Sequence, residues 1–134
     1  MITGIGIDAC AVAKFEKMAN LQRFLDKYMT TYETEYVSGK GASKYMSMAG
    51  IFAAKEALVK ALGTGFMQTN LKAIEVRHTE LGAPYYVTSG WIKDEMCQKN
   101  IDVIHLSITH ENDMAVAIAI AENNGNLSGG YIQC

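Results

Sequence analysis

The chain has 134 residues, 49% hydrophobic and 19% charged, with a net charge of −2. That length suits about one domain, and the composition is that of a globular protein rather than a disordered one. The charge points to neither nucleic acid nor an anionic membrane. No apolar run reaches the ~18 residues of a membrane span, and the N-terminus lacks a basic segment followed by an apolar one, so neither a span nor a secretion signal is expected. Cys10, Cys97 and Cys134 are odd in number and form no C-x-x-C pair. They argue against a disulfide framework or a cysteine zinc site and fit a reducing cytoplasm.

In chain order, Ile2 to Asp8 reads as a strand with two unlike faces: Thr3, Ile5 and Ile7 on one, Gly4, Gly6 and Asp8 on the other. A glycine track ending in a carboxylate marks close approach of a ligand or of another backbone. Ala11–Met18 and Gln22–Met29 read as short helices, and Thr30 with Glu33 forms a capping-box pattern opening a third, Thr31–Val37. Ser43 is placed to cap a long helix, Lys44–Leu62, which Gly63 and Gly65 stop. Strands follow near Ala73–Thr79 and Pro84–Thr88, joined at Glu80–Ala83, and then a helix through Lys99 that Ser89 is placed to cap. A final strand pair, Asp102–Thr109 and Met114–Ala121, turns at His110–Asp113. Without regular βαβ alternation, this order predicts an α+β fold: an antiparallel sheet with a long helix and shorter helices on one face. Residues 1–122 read as one domain and 123–134 as a polar C-terminal tail rich in Asn, Gly and Ser.

The long helix carries an anomaly. With Ile51 at zero and about 100° per residue, Met48, Ile51, Phe52, Leu58, Val59 and Leu62 form a stripe roughly 100° wide, and Lys55 falls inside it at about 40°. Glu56 and Lys60 lie at its border, at about 140° and 180°. Lys55 either snorkels to water or serves a ligand, and Glu56 with Lys60 is either a surface pair or part of a site. Two ammonium groups and a carboxylate within about one turn are what a metal–polyphosphate site needs. Mg²⁺ takes one or two protein carboxylates, and Asp8 is the natural second beside Glu56.

Gly6-Ile7-Asp8 and Phe52 to Lys60, F-A-A-K-E-A-L-V-K, resemble the G-[IV]-D and F-x-x-K-E-x-x-x-K motifs of the 4′-phosphopantetheinyl transferase superfamily. Arg23-Phe24, Thr30 with Glu33, Gly63-Thr64-Gly65, Gly82 with Pro84-Tyr85, and His105 to His110 are similar to further elements of its small bacterial branch, the holo-acyl-carrier-protein synthases. The resemblance runs from Met1 to about Glu122. It implies transfer of the 4′-phosphopantetheine arm of coenzyme A to a serine of apo acyl carrier protein, with release of adenosine 3′,5′-bisphosphate. It also implies Mg²⁺ and a homotrimer with active sites between subunits. Asp8 and Glu56 would hold the metal, and Lys60 would contact the pyrophosphate and assist the leaving group. Lys55, Gly65, His105, Ser107, Thr109 and His110 would bind coenzyme A. The base is Glu56 or a water polarised by the metal; the sequence leaves both open.

His105, Ser107 and Thr109 share one face of their strand, opposite Ile104, Leu106 and Ile108, and suit a polar pocket wall or a solvent-facing surface. Lys14, Lys17, Arg23 and Lys27, set against Glu16 and Asp26, give a locally positive segment that suits an acidic carrier protein. Where the family usually has a basic residue, Lys14 stands in place of Arg, Ile51 of Arg and Ala83 of Lys, changes that bear on partner and nucleotide contacts. The alternative, a non-catalytic coenzyme A or nucleotide binding module, would need a broken metal pair, and both carboxylates are present.

Overall fold

A computed structural model describes residues 1–65 and 70–125. The elements are β1 (Ile2–Ala11), α1 (Ala13–Glu16), α2 (Leu21–Tyr28), α3 (Thr31–Ser38), α4 (Lys44–Leu62), β2 (Val76–His78), β3 (Pro84–Tyr86), α5 (Trp91–Gln98), β4 (Val103–Glu111) and β5 (Met114–Glu122). Most of the polar C-terminal segment expected at 123–134 lies outside the described residues.

An antiparallel sheet of order β1-β5-β4 forms one layer, and β2 and β3 make a separate hairpin. The sheet's inner face is built of small residues. Gly4 and Gly6 of β1 stand there beside Ala115, Ala117, Ala119 and Ala121 of β5, all four of these alanines fully buried. α4 lies across that face with Ala53, Ala54, Ala57 and Ala61 also buried. This smoothness lets backbone meet backbone. A Cβ at Gly6 would lie 1.8 Å from the Ala57 carbonyl oxygen, and one at Gly4 would lie 1.9 Å from that of Ala61. Larger side chains fill the far side of α4, where Phe52 packs with Phe15, Phe24 and Tyr28 at centroid distances of 5.4 to 6.2 Å.

α4 is buried nearly all round from Met48 to Leu62, with only Glu56 and Lys60 reaching partial or full exposure. The narrow stripe expected from periodicity is therefore too narrow. Alanine, silent in an apolar stripe, supplies the second buried face. Gly63 ends the helix in the left-handed region, as expected, with φ 68°. The capping box of Thr30 and Glu33 is also present. Ser43 and Ser89 do not cap: the chain enters α4 through a 3₁₀ turn at Gly41–Ser43, and α5 starts after Gly90, neither with a side-chain cap bond. Leu71–Ala73 is a 3₁₀ turn, so β2 begins later than the apolar pattern suggests. Cys10 is a buried free thiol.

Among the described residues, the outer face of the sheet carries exposed apolar side chains. Ile5 and Ile7 are 58% and 59% exposed, and they neighbour Ile120 and Ile118 across β5.

The helix–strand approach yields a test. Gly6→Ala must push α4 away from β1 and should destabilise the fold by roughly 1–3 kcal/mol or more, as overpacking does. Urea unfolding reads this, and an unchanged midpoint would contradict the contact.

Candidate active site

Asp8 follows Gly4 and Gly6 on the same face of β1, so the close approach that seats the glycines delivers its carboxylate to the side of α4. There it meets Glu56 and Lys60, one turn apart on the helix. Lys60 Nζ lies 3.1 Å from Asp8 Oδ1 and donates to the Ile7 carbonyl at 3.0 Å. A cavity of about 510 Å³ opens over them, lined by Asp8, Glu56, Val59, Lys60, Gly63 and Gly65. The structure thus brings Asp8, Glu56, Lys60 and Gly65 together, from two motifs roughly fifty residues apart in the chain.

The electrostatics are those of a site short of positive charge. Glu56 is raised to about 7, first by burial, then by its hydrogen bond and charge contact with Asp8, while Lys14 and Lys60 pull the other way. Asp8 Oδ2 is buried without a hydrogen-bond donor. While both acids are ionised neither can donate to the other; one proton on Glu56 supplies the missing donor. A divalent cation would do the same more completely. Two facing carboxylates with one orphaned buried oxygen fit Mg²⁺, which keeps most of its octahedron for water and phosphate. Among the described residues no cluster of three acidic, His or Cys side chains forms a dedicated protein cage.

Lys55 is elsewhere. Its side chain is fully buried, 2.6 Å from Glu33 Oε1, and it donates to the carbonyls of Tyr28 at 2.7 Å and Leu71 at 3.1 Å. Burial lowers its pKa, and the Glu33 charge opposes that. It does not line the site cavity, so the substrate contact expected of it does not arise in this geometry; it is the Lys55 position that forms the core ion pair. The sequence placed Lys55 in the apolar stripe, but Glu33 was legible only as a capping residue, so its second role was missed.

The β4 residues divide. His105, Ser107 and Thr109 lie on the exposed outer face, with His105 Nε2 3.2 Å from Glu122 Oε1. His110 turns inward to a second cavity of about 220 Å³, shared with Tyr36, Gly50, Ile51, His78, Gly82 and Pro84 among others. Gly50 makes room for it: a Cβ there would sit 3.1 Å from His110 Nε2. His78, which the sequence left without a role, stacks on Tyr36 at 4.3 Å. The single chain therefore does not bring these four residues to Asp8 and Glu56. Lys14 was read only as part of a positive segment. Its ammonium lies 4.1 Å from the Phe52 ring centroid and is also felt by Glu56.

A family model, the 4′-phosphopantetheinyl transferase superfamily, matches residues 4–120. The chain belongs to that superfamily. It is 44% identical over 124 residues to a holo-[acyl-carrier-protein] synthase of Halothermothrix orenii, covering 91% of this chain and 98% of that one. Among solved structures it is similar to a holo-(acyl-carrier-protein) synthase of Bacillus anthracis in complex with CoA (3′,5′-ADP), with TM-score 0.75, 38% identity and coverage of 92% and 98%. It is also similar to the holo-[acyl-carrier-protein] synthase of Neisseria meningitidis, with TM-score 0.80, 28% identity and coverage of 92% and 100%. The α+β architecture with its antiparallel sheet and long helix is the one expected from the sequence.

The raised Glu56 has a consequence for stability. Because its folded pKa lies above the ordinary 4.5, the ionised form weakens the cation-free fold. That penalty is absent well below pH 4.5, grows toward pH 7 and is full above it. Glu56→Gln should therefore melt higher than the parent at pH 8 in EDTA, and the gain should shrink as the pH falls toward 5. A gain that is the same at both pH values would contradict the carboxylate contact.

Proposed function

We infer that this chain transfers the 4′-phosphopantetheine group of coenzyme A to a serine of apo acyl carrier protein, giving holo acyl carrier protein and adenosine 3′,5′-bisphosphate. The observation that carries the reading is the convergence of Asp8, Glu56 and Lys60 on one cavity in a chain of this superfamily. The holo-acyl-carrier-protein synthases among its relatives, one of them solved with CoA (3′,5′-ADP), support it.

The reaction breaks the pyrophosphate of coenzyme A. The serine Oγ bonds to the pantetheine phosphorus, and the bond from that phosphorus to the adenosine bisphosphate oxygen breaks. Positioning and charge neutralisation supply most of the catalysis in such transfers. Asp8 and Glu56 are the proposed Mg²⁺ ligands, and the cation would drain charge from the pyrophosphate oxygens. Lys60, 56% exposed at the cavity rim, has reach to shift from Asp8 to the leaving phosphate. The serine proton passes to Glu56 or to water beside it. Gly65, without a side chain, leaves the cavity wall open to the pantetheine arm.

His105, Ser107, Thr109 and His110 are proposed to serve coenzyme A from a neighbouring copy of the chain in a homotrimer. Support comes from their placement away from Asp8 and Glu56 within one chain and from the exposed Ile5 and Ile7 face, which apolar burial would drive into an interface. Lys14, Lys17, Arg23 and Lys27 are all exposed on α1 and α2 or beside them, and form the proposed docking face for an acidic carrier protein. Residues 1–122 are the proposed catalytic unit, with the cytoplasm and fatty acid biosynthesis as its setting.

Lys60→Ala should lower kcat by roughly 10²–10³, as loss of a group that stabilises transition-state charge does, and raise KM for coenzyme A by far less. Steady-state transfer with varied coenzyme A separates the two, and an unchanged kcat would remove Lys60 from the leaving-group role. Lys14→Glu should raise KM for the carrier protein and leave that for coenzyme A in place; equal changes in both would remove the docking face.

A further inference from the structure

The contact between α4 and β1 is degenerate along the helix axis. Alanine recurs at every fourth position, Ala49, Ala53, Ala57 and Ala61, and all four are buried. Gly6 lies against Ala57 and Gly4 against Ala61. A slip of one turn, about 5.4 Å, would seat Ala53 and Ala57 in their places with the same side chains. The facing residues of β5, Ala115, Ala117, Ala119 and Ala121, are equally smooth. The same slip would put Phe52 where Glu56 now faces Asp8. The glycine–alanine contact thus sets the spacing of helix and strand and leaves the register to something else.

Only one buried side chain of α4 is charged. One turn to either side of Lys55 stand Ile51 and Val59, both buried and apolar, so no slip offers a second ammonium to the same partners. Those partners are fixed by their own bonds. Glu33 Oε1 accepts from the Lys55 ammonium at 2.6 Å and from the Thr30 N–H at 2.8 Å, and its Oε2 accepts from the Val76 N–H at 2.8 Å. The carbonyls of Tyr28 and Leu71 complete the ammonium's shell. Glu33 is thereby held by the start of α3 and the first residue of β2, outside the smooth interface. Buried polar groups of this kind are best attested as register keys, and a matched apolar replacement commonly keeps the fold.

We propose that Lys55 and Glu33 are a positioning pair that sets the axial register of α4 on the sheet and so holds Glu56 opposite Asp8. The proposal rests on the reading of Asp8 and Glu56 as a cation-binding pair. Lys55 acts through the helix and touches no substrate.

The test is the double variant Lys55→Met with Glu33→Gln, which removes both charges, keeps side-chain length and leaves an amide oxygen for the Val76 N–H. Mn²⁺ is the probe, its binding read by electron paramagnetic resonance in the presence of coenzyme A, well below the melting temperatures and beside the parent protein. The double variant should fold, by circular dichroism, yet bind Mn²⁺ at least tenfold more weakly and transfer phosphopantetheine at least tenfold more slowly. A merely structural pair would change the melting temperature and leave folded protein with parental Mn²⁺ affinity; affinity and kcat within twofold of the parent would overturn the proposal. Loss of the fold would overturn it too, since the pair would then supply stability instead of register. A parent protein that itself binds no Mn²⁺ would refute the cation reading beneath it.

Discussion

The spacing of helix and strand at this site follows from the absence of two Cβ atoms. Gly4 and Gly6 let β1 approach the Ala61 and Ala57 carbonyls of α4 more closely than any other residue would allow. Two residues further along the same face, Asp8 reaches the helix at the level of Glu56 and Lys60. A Cβ at either position would clash with the α4 backbone and hold the strand, and Asp8 with it, further from the helix. The close approach therefore explains both the smooth, alanine-rich core on this side and the crowded negative charge at its end.

That crowding is the chemical asset. Burial and Asp8 raise Glu56 to about 7, and Asp8 keeps one buried oxygen without a donor. A divalent cation bound there would supply the missing partner. Two lysines of one motif take opposite parts beside it. Lys60 stays at the cavity rim, bound to Asp8 and the Ile7 carbonyl. Lys55 is sealed in the core with Glu33 and two carbonyls.

Much of this was legible in the residues. The two-faced first strand, the bounds of α4, the Gly63 stop and the capping box came straight from pattern and turn chemistry. Asp8, Glu56 and Lys60 stood out because charges at those spacings suit a phosphate site, and family resemblance joined the two motifs. What the pattern did not reveal has physical causes. Alanine carries no signal in an apolar stripe, so the second buried face of α4 was hidden. Lys55 was anomalous, yet its partner lies on another helix, and no local spacing names a tertiary ion pair. Alternation places His105, Ser107 and Thr109 together, but a strand pattern cannot say that their face is turned from the helix that bears Glu56. The same alternation sends His110 to the other side, with Gly50 yielding the space.

Phosphopantetheine transfer at the proposed Asp8–Glu56–Lys60 cluster is open to direct measurement. The most direct measurement is the intact mass of an apo acyl carrier protein incubated with this protein, coenzyme A and Mg²⁺, with EDTA added to a parallel reaction. Transfer by this site should give a mass gain of one phosphopantetheine arm that disappears with EDTA. No gain across several apo carrier proteins, from a folded protein that binds coenzyme A, would contradict it.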